Sequence, residues 1–216
     1  MEKQRALILE KVLFTSTKPN DNVHRCVVAI DVSHAASYRH GHHSQLKMDD
    51  KVMLYNVIEP MIQYESAVVA ISESLDVIVF KLIDRTFENF PRNTETLYCG
   101  MEYLHTARLL RRSPNLGVKP LWKQGIISER RRGFYIGSSH GQVGDSGSGI
   151  FDCSGFFLGI SVAKKSLAFS DRENMPVGEI ADHHPDTRIV SSEVIFGFSG
   201  LVDKEFEPTG KCARVV

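Results

Sequence analysis

Short apolar or alternating segments, each bounded by turn residues, recur along the whole chain: Ala6 to Phe14, Cys26 to Val32, Lys51 to Val57, Ala67 to Ile71, Val77 to Ile83, Gly125 to Ser128, Gly133 to Ile136, Ile150 to Phe151, Phe156 to Ala163 and Val194 to Gly197. Val, Ile, Phe and Tyr are frequent in them, and such residues suit a pleated, half-buried surface. About ten segments of this kind, with no long amphipathic stretches between them, predict an all-β chain. Two short helices are predicted, around Glu102 to Arg112 and near Ser191 to Ile195. The polar stretch from Ser166 to Arg188, with Pro176 and Pro185, reads as a long surface loop. No internal repeat is visible.

At 216 residues the chain can bury a substantial core as one unit. Lys and Arg number 26 against 26 Asp and Glu, so no global charge points to nucleic acid or an anionic membrane as a partner. The clusters Arg111-Arg112 and Arg130-Arg131-Arg132 read as solvated loops. No apolar run approaches the roughly 18 residues of a membrane span. The start of the chain has no apolar core followed by a cleavage site, so the expected location is cytoplasmic or nuclear. Four cysteines without C-x-x-C spacing read as reduced thiols.

The chemistry concentrates in "SSHGQVGDSGSGIFDCSGFFLGISV", residues 138–162. Glycines at this density are entropically costly, so they mark a turn that needs positive φ or close backbone approach. Ser146 in such a turn is a candidate nucleophile. A serine alcohol needs a neighbouring base, and the base needs an orienting group. His34, where the strand-like "CVVAIDVSHAA" runs into small residues, is the candidate base. Asp76, at the head of "DVIVFKL", is the candidate acid, because a carboxylate there needs a hydrogen-bonding partner to be buried. His40, His42 and His43 lie close by, with no Cys or acidic cluster to complete a zinc site.

In that chain order, "VSHAA", "DVIVFKL" and "GDSGSG" resemble the chymotrypsin-like serine proteases, and the compact second half is closer to the HtrA-like, intracellular and viral branches than to digestive trypsins. The resemblance implies two six-stranded antiparallel β-barrels, 1–88 carrying His and Asp and 89–216 carrying Ser, with the site in the cleft between them. It implies a serine endopeptidase acting on a peptide or protein, without cofactor or metal. The catalytic set would be His34, Asp76 and Ser146, with the backbone N–H groups of Gly144 and Ser146 as oxyanion hole. The alternative is a catalytically impaired protease-like module that holds a peptide or protein partner in its cleft. By the same resemblance His140, Val162, Ala163 and Lys164 line the pocket for the side chain before the cut bond, and two cations there favour an acidic or amide side chain. Cys99 and Cys153 would be spatial neighbours, reduced and packed as small apolar groups. By the resemblance Asp145 corresponds to the aspartate that in zymogen-type relatives pairs with a newly cut N-terminus; with no such activation site visible near the start of this chain, either another group holds Asp145 or it sits in a loop that orders on binding.

Overall fold

A computed structural model of the chain describes residues 9–18, 26–111, 118–141, 144–162 and 186–201, with the backbone alone for 107–111 and 118–119. Its first six strands are β1 (Leu13–Thr15), β2 (Cys26–Ala29), β3 (His34–Tyr38), β4 (Lys51–Asn56), β5 (Gln63–Ser72) and β6 (Val77–Leu82). They are followed by β7 (Glu102–Arg111), β8 (Val118–Arg131), β9 (Phe134–Gly137), β10 (Gly149–Phe151), β11 (Phe157–Val162) and β12 (Thr187–Ser191). All pair antiparallel and close into two barrels, ordered β1-β2-β3-β6-β5-β4 and β7-β8-β9-β12-β11-β10. The second order is the first repeated six strands later. Closure leaves neither sheet a free edge.

Residue pattern accounts for the strands. In β5, Tyr64, Ser66, Val68 and Ala70 point inward while their neighbours are exposed or half-buried, the period of two of a sheet with one wet face. β6 and β11 are apolar runs instead, and all six residues of β11 are buried. One apolar core fills the first barrel and continues through Phe151, Phe157 and Ile160 of the second; a smaller one, around Tyr103, Ile127, Ile150, Leu158 and Ile189, lies in the second barrel.

The helix expected near Ser191 forms as α1 (Ser192–Ser199), which takes in the Val194 to Gly197 segment first read as strand-like. Ser191 caps it by accepting from the Val194 N–H, and Gly200, at φ 69°, ends it with its N–H on the Phe196 carbonyl. Ile195 and Phe196 pack it onto the shared core. The helix expected over Glu102 to Arg112 is instead the strand β7. Most of the expected loop from Ser166 to Arg188 lies outside the described residues, but its last two residues begin β12. Among the described residues no helix is long and apolar enough to cross a membrane.

Candidate active site

The antiparallel register of β3 and β6 decides which histidine meets Asp76. Tyr38 lies opposite Val77 and His34 opposite Lys81. Asp76, which precedes β6, therefore sits beside the residues that follow β3: the Arg39 N–H donates to the Asp76 carbonyl at 3.0 Å. There the Asp76 carboxylate grips His40 twice. Oδ1 accepts from the His40 backbone N–H at 2.8 Å, and Oδ2 accepts from Nδ1–H at 2.6 Å. This fixes the tautomer and leaves Nε2 as the basic nitrogen.

His34 is not Asp76's partner, contrary to the sequence expectation. It starts β3, four strand residues or about 13 Å from the end where Asp76 lies. Its Nδ1 instead meets the Asp31 carboxylate at 2.9 Å, and its backbone N–H donates to Asp31 Oδ1 at 2.7 Å, closing the Asp31-to-His34 turn. Burial alone would raise the Asp31 carboxyl, but hydrogen bonds from His34 and from the Ser33 N–H outweigh it and hold the group below its ordinary range.

The other two histidines of "RHGHH" follow in a short 3-10 turn over Gly41–Gln45. His43 is buried, with Nδ1–H donating to the Tyr38 carbonyl at 2.8 Å and Nε2 meeting the Ser16 hydroxyl at 2.7 Å, while His42 is exposed. His43 is thus a pillar under the loop. Arg39 ties the same loop, donating from Nε to Glu73 at 2.8 Å and from Nη1 to the His43 carbonyl. His40, its side chain 42% exposed, is the one held by a carboxylate and open to the surface.

The Ser146 turn enters this seam from the second barrel. Gly144 and Gly147 take φ of 98° and 81°, and Gly147 anchors the turn by donating its N–H to the Ser161 carbonyl at 2.8 Å. A Cβ on Gly147 would collide with the Cys26 carbonyl and stand 2.9 Å from the Tyr38 ring, so the turn lies directly on the ends of β2 and β3. The Tyr38 ring is also 4.5 Å, centroid to centroid, from His40. Ser146 is half-buried, and no hydrogen bond joins it to His40 or His34 among the described residues. Among the same residues, the Gly144 and Ser146 backbone N–H groups have no protein acceptor. Cys26, behind the turn, donates its thiol to the Gly144 carbonyl at 3.7 Å. Burial pushes that thiol up to about 11.

Of the expected pocket residues, His140 is exposed, at φ 52°, and Val162 is buried at the end of β11. Ala163 and Lys164 lie outside the described residues. Cys99 and Cys153 are free thiols, but both are exposed rather than packed as small apolar groups, because each sits in a surface turn. No set of three metal-ligating side chains gathers among the described residues.

No protein-family model matches the chain, and no curated protein does. Solved structures do. The MamO protease domain from Magnetospirillum magneticum superposes with a TM-score of 0.62 at 14% identity, over 88% of this chain and 96% of that one. An inactive form of Rv3671c from M. tuberculosis gives 0.62 at 14% identity, over 95% and 93%. The serine endoprotease from Yersinia pestis gives 0.62 at 15% identity, over 91% of this chain and 65% of that one. The chain has the chymotrypsin-type double-barrel fold of serine proteases.

Proposed function

We propose that the chain is a serine endopeptidase in which His40, Asp76 and Ser146 form the catalytic set. The observation that carries this reading is the two-point grip of Asp76 on His40, beside a turn that brings Ser146 to the end of the same strand. Ser146 Oγ attacks the carbonyl carbon of the scissile peptide while His40 Nε2 takes the hydroxyl proton. Asp76 orients the ring and stabilises its charged form. The carbonyl electron pair moves onto oxygen, where the Gly144 and Ser146 N–H groups receive it; loss of one such donor costs on the order of 10²–10³ in kcat. The C–N bond then breaks, the amine leaves with the proton from His40, and water hydrolyses the acyl-enzyme by the reverse proton path. His40 replaces His34 as base: a carboxylate orients each ring, but His40 follows the end of β3 on which the Ser146 turn lies, whereas His34 opens that strand beside Asp31.

The substrate class is a peptide or protein. His140, Val162, Ala163 and Lys164 remain the proposed pocket residues, with preference for an acidic or amide side chain before the cut bond. Labelling with a fluorophosphonate tests the catalytic reading without any guess about substrate. The expected result is that wild-type protein and His34→Ala are labelled, while Ser146→Ala and His40→Ala are not. Labelling lost in His34→Ala and kept in His40→Ala would return the role to His34. A folded wild type that takes no label would favour the module that binds without turnover.

A further inference from the structure

Arg188 sits where the packing asks for an apolar residue. In β12 it stands between Val162 of β11 and Ile136 of β9, its direct cross-strand partners. Cross-strand partners share a face of the sheet, and so do residues two apart along one strand. Arg188, Val162, Ile136, Phe134 and Val190 therefore lie on one side of the second barrel. Val162 and Val190 belong to the core shared with the first barrel, so this is the side that meets the seam. Val162 and Ile136 are buried, while Arg188 is half-buried. The first barrel is near: a Cβ on Gly133, beside Phe134, would stand 3.4 Å from Leu75 Cδ2, and Leu75 directly precedes Asp76.

The guanidinium lies over the Phe134 ring, 4.2 Å from its centroid. Stacking fixes the plane but satisfies none of its N–H donors, which lie in that plane. Nε is buried without a hydrogen-bond partner, and no carboxylate pairs with Arg188 among the described residues. The neighbouring cation is already used: Arg131, opposite Phe134, pairs with Glu129 at 2.9 Å. A buried, unpaired donor of a charged group is costly unless an anion meets it.

We propose that Arg188 is a specificity-determining residue that receives a carboxylate of the bound peptide, so that the seam selects an aspartate or glutamate side chain over its amide counterpart. Val162, in the same cross-strand row, is one of the proposed pocket residues, which places the cation on the side of the peptide before the cut bond. The planar fork, steadied on Phe134, offers parallel N–H groups to both oxygens of a carboxylate; an amide can accept at only one. The proposal rests on the reading of the seam as a peptide-binding cleft. It narrows the acidic or amide preference to an acidic one, and assigns that choice to Arg188 rather than to His140 and Lys164.

The test compares cleavage of peptide pairs that differ only as Glu against Gln, or Asp against Asn, at positions before the cut bond. Rates are taken per active site titrated with fluorophosphonate, and thermal melting checks folding. Wild type is expected to cleave the acidic member with a kcat/KM about 10- to 100-fold higher, the range of a charge-assisted hydrogen-bonded pair. Arg188→Met, which keeps an apolar stem against Phe134, should bring that ratio close to one. A ratio near one in active wild type, or a wild-type ratio in folded Arg188→Met, overturns the assignment and leaves the endopeptidase reading intact. A ratio lost in Lys164→Met and kept in Arg188→Met overturns it as well, in favour of the pocket lysine. Should Arg188→Met fail to fold, Arg188→Lys keeps the charge without the fork: a ratio about tenfold lower supports the assignment, and an unchanged ratio refutes it. A folded wild type that takes no label overturns the endopeptidase reading, and binding of the same peptide pairs, followed by fluorescence anisotropy, then decides on Arg188 by the same ratios.

Discussion

His105 lies wholly inside the second barrel, with Nδ1 3.0 Å from the Ser139 hydroxyl and Nε2 unpartnered among the described residues. Burial pushes its pKa down to about 4; Asp145 pulls the other way and Lys123 reinforces the fall. In the unfolded chain a histidine takes up its proton near 6.5. Below that pH the unfolded state binds the additional proton and the folded state does not, so stability falls as pH drops from about 6.5 to about 4, by up to about 3 kcal/mol. Urea titrations at intervals across this window should show the decline, and His105→Gln should flatten it. A variant with the wild-type slope would assign the proton elsewhere. Thiols divide by burial in the same way. Iodoacetamide at pH 8 should modify exposed Cys99 and Cys153 in the native protein and reach Cys26 only on unfolding, read by mass spectrometry. At this scale the Ser146 turn was legible, because glycine has few other reasons to cluster. The histidine partner of Asp76 was not, although the sequence held the signal. An acid that precedes its strand must face the end of an antiparallel neighbour, so the histidine had to follow "HAASY" rather than open it.

Among elements, β7 shows why periodicity misleads. Tyr103, Leu104, His105 and Thr106 are all buried, so both faces of the strand are covered and the alternation that marks a half-wet strand is absent. Its apolar spacing imitates a helix. β3 escaped notice for a different reason: "HAASY" has small residues where strands usually carry branched ones, because Ala35 and Ala36, on opposite faces of the strand, are both fully buried and closely packed. The apolar β6 was legible, having one dominant local signal, whereas α1 was legible only at its start, its Val194 to Gly197 part having read as strand-like. Tyr103 also fixes how close β7, β8 and β9 come. Its hydroxyl donates to the Ser139 hydroxyl at 2.7 Å and accepts from the Ser139 N–H at 3.0 Å. The ring fills the space where Gly125 and Gly137 lack side chains. Alanine at Gly137 would strike the Tyr103 hydroxyl, and overpacking of this kind costs about 1–3 kcal/mol. Denaturant unfolding should register that loss, and it should shrink in a Tyr103→Phe background, where part of the obstruction is gone. Equal losses in both backgrounds would mean that the collision is relieved elsewhere.

The whole molecule is two barrels of one strand order pressed together, and the proposed chemistry belongs to the seam rather than to either barrel. His40 and Asp76 come from the first, Ser146 from the second, so alignment of the proposed set depends on how closely the serine turn can approach β2 and β3. Gly147 sets that distance. Its missing side chain lets the backbone lie against the Cys26 carbonyl, and its φ of 81° suits glycine. Alanine at 147 therefore carries two costs: backbone strain of about 1–2 kcal/mol, and a collision that can be relieved only by moving the turn away from the first barrel. Gly100 separates the two. It also has a positive φ, of 90°, but a Cβ there meets nothing within 4 Å. Gly100→Ala should lower the melting temperature through strain while labelling with fluorophosphonate at the wild-type rate. Gly147→Ala should label about 10²-fold more slowly even where it remains folded, because a displacement near 1 Å is enough to disalign nucleophile and base. If the two variants label alike, the distance across the seam is not what Gly147 controls.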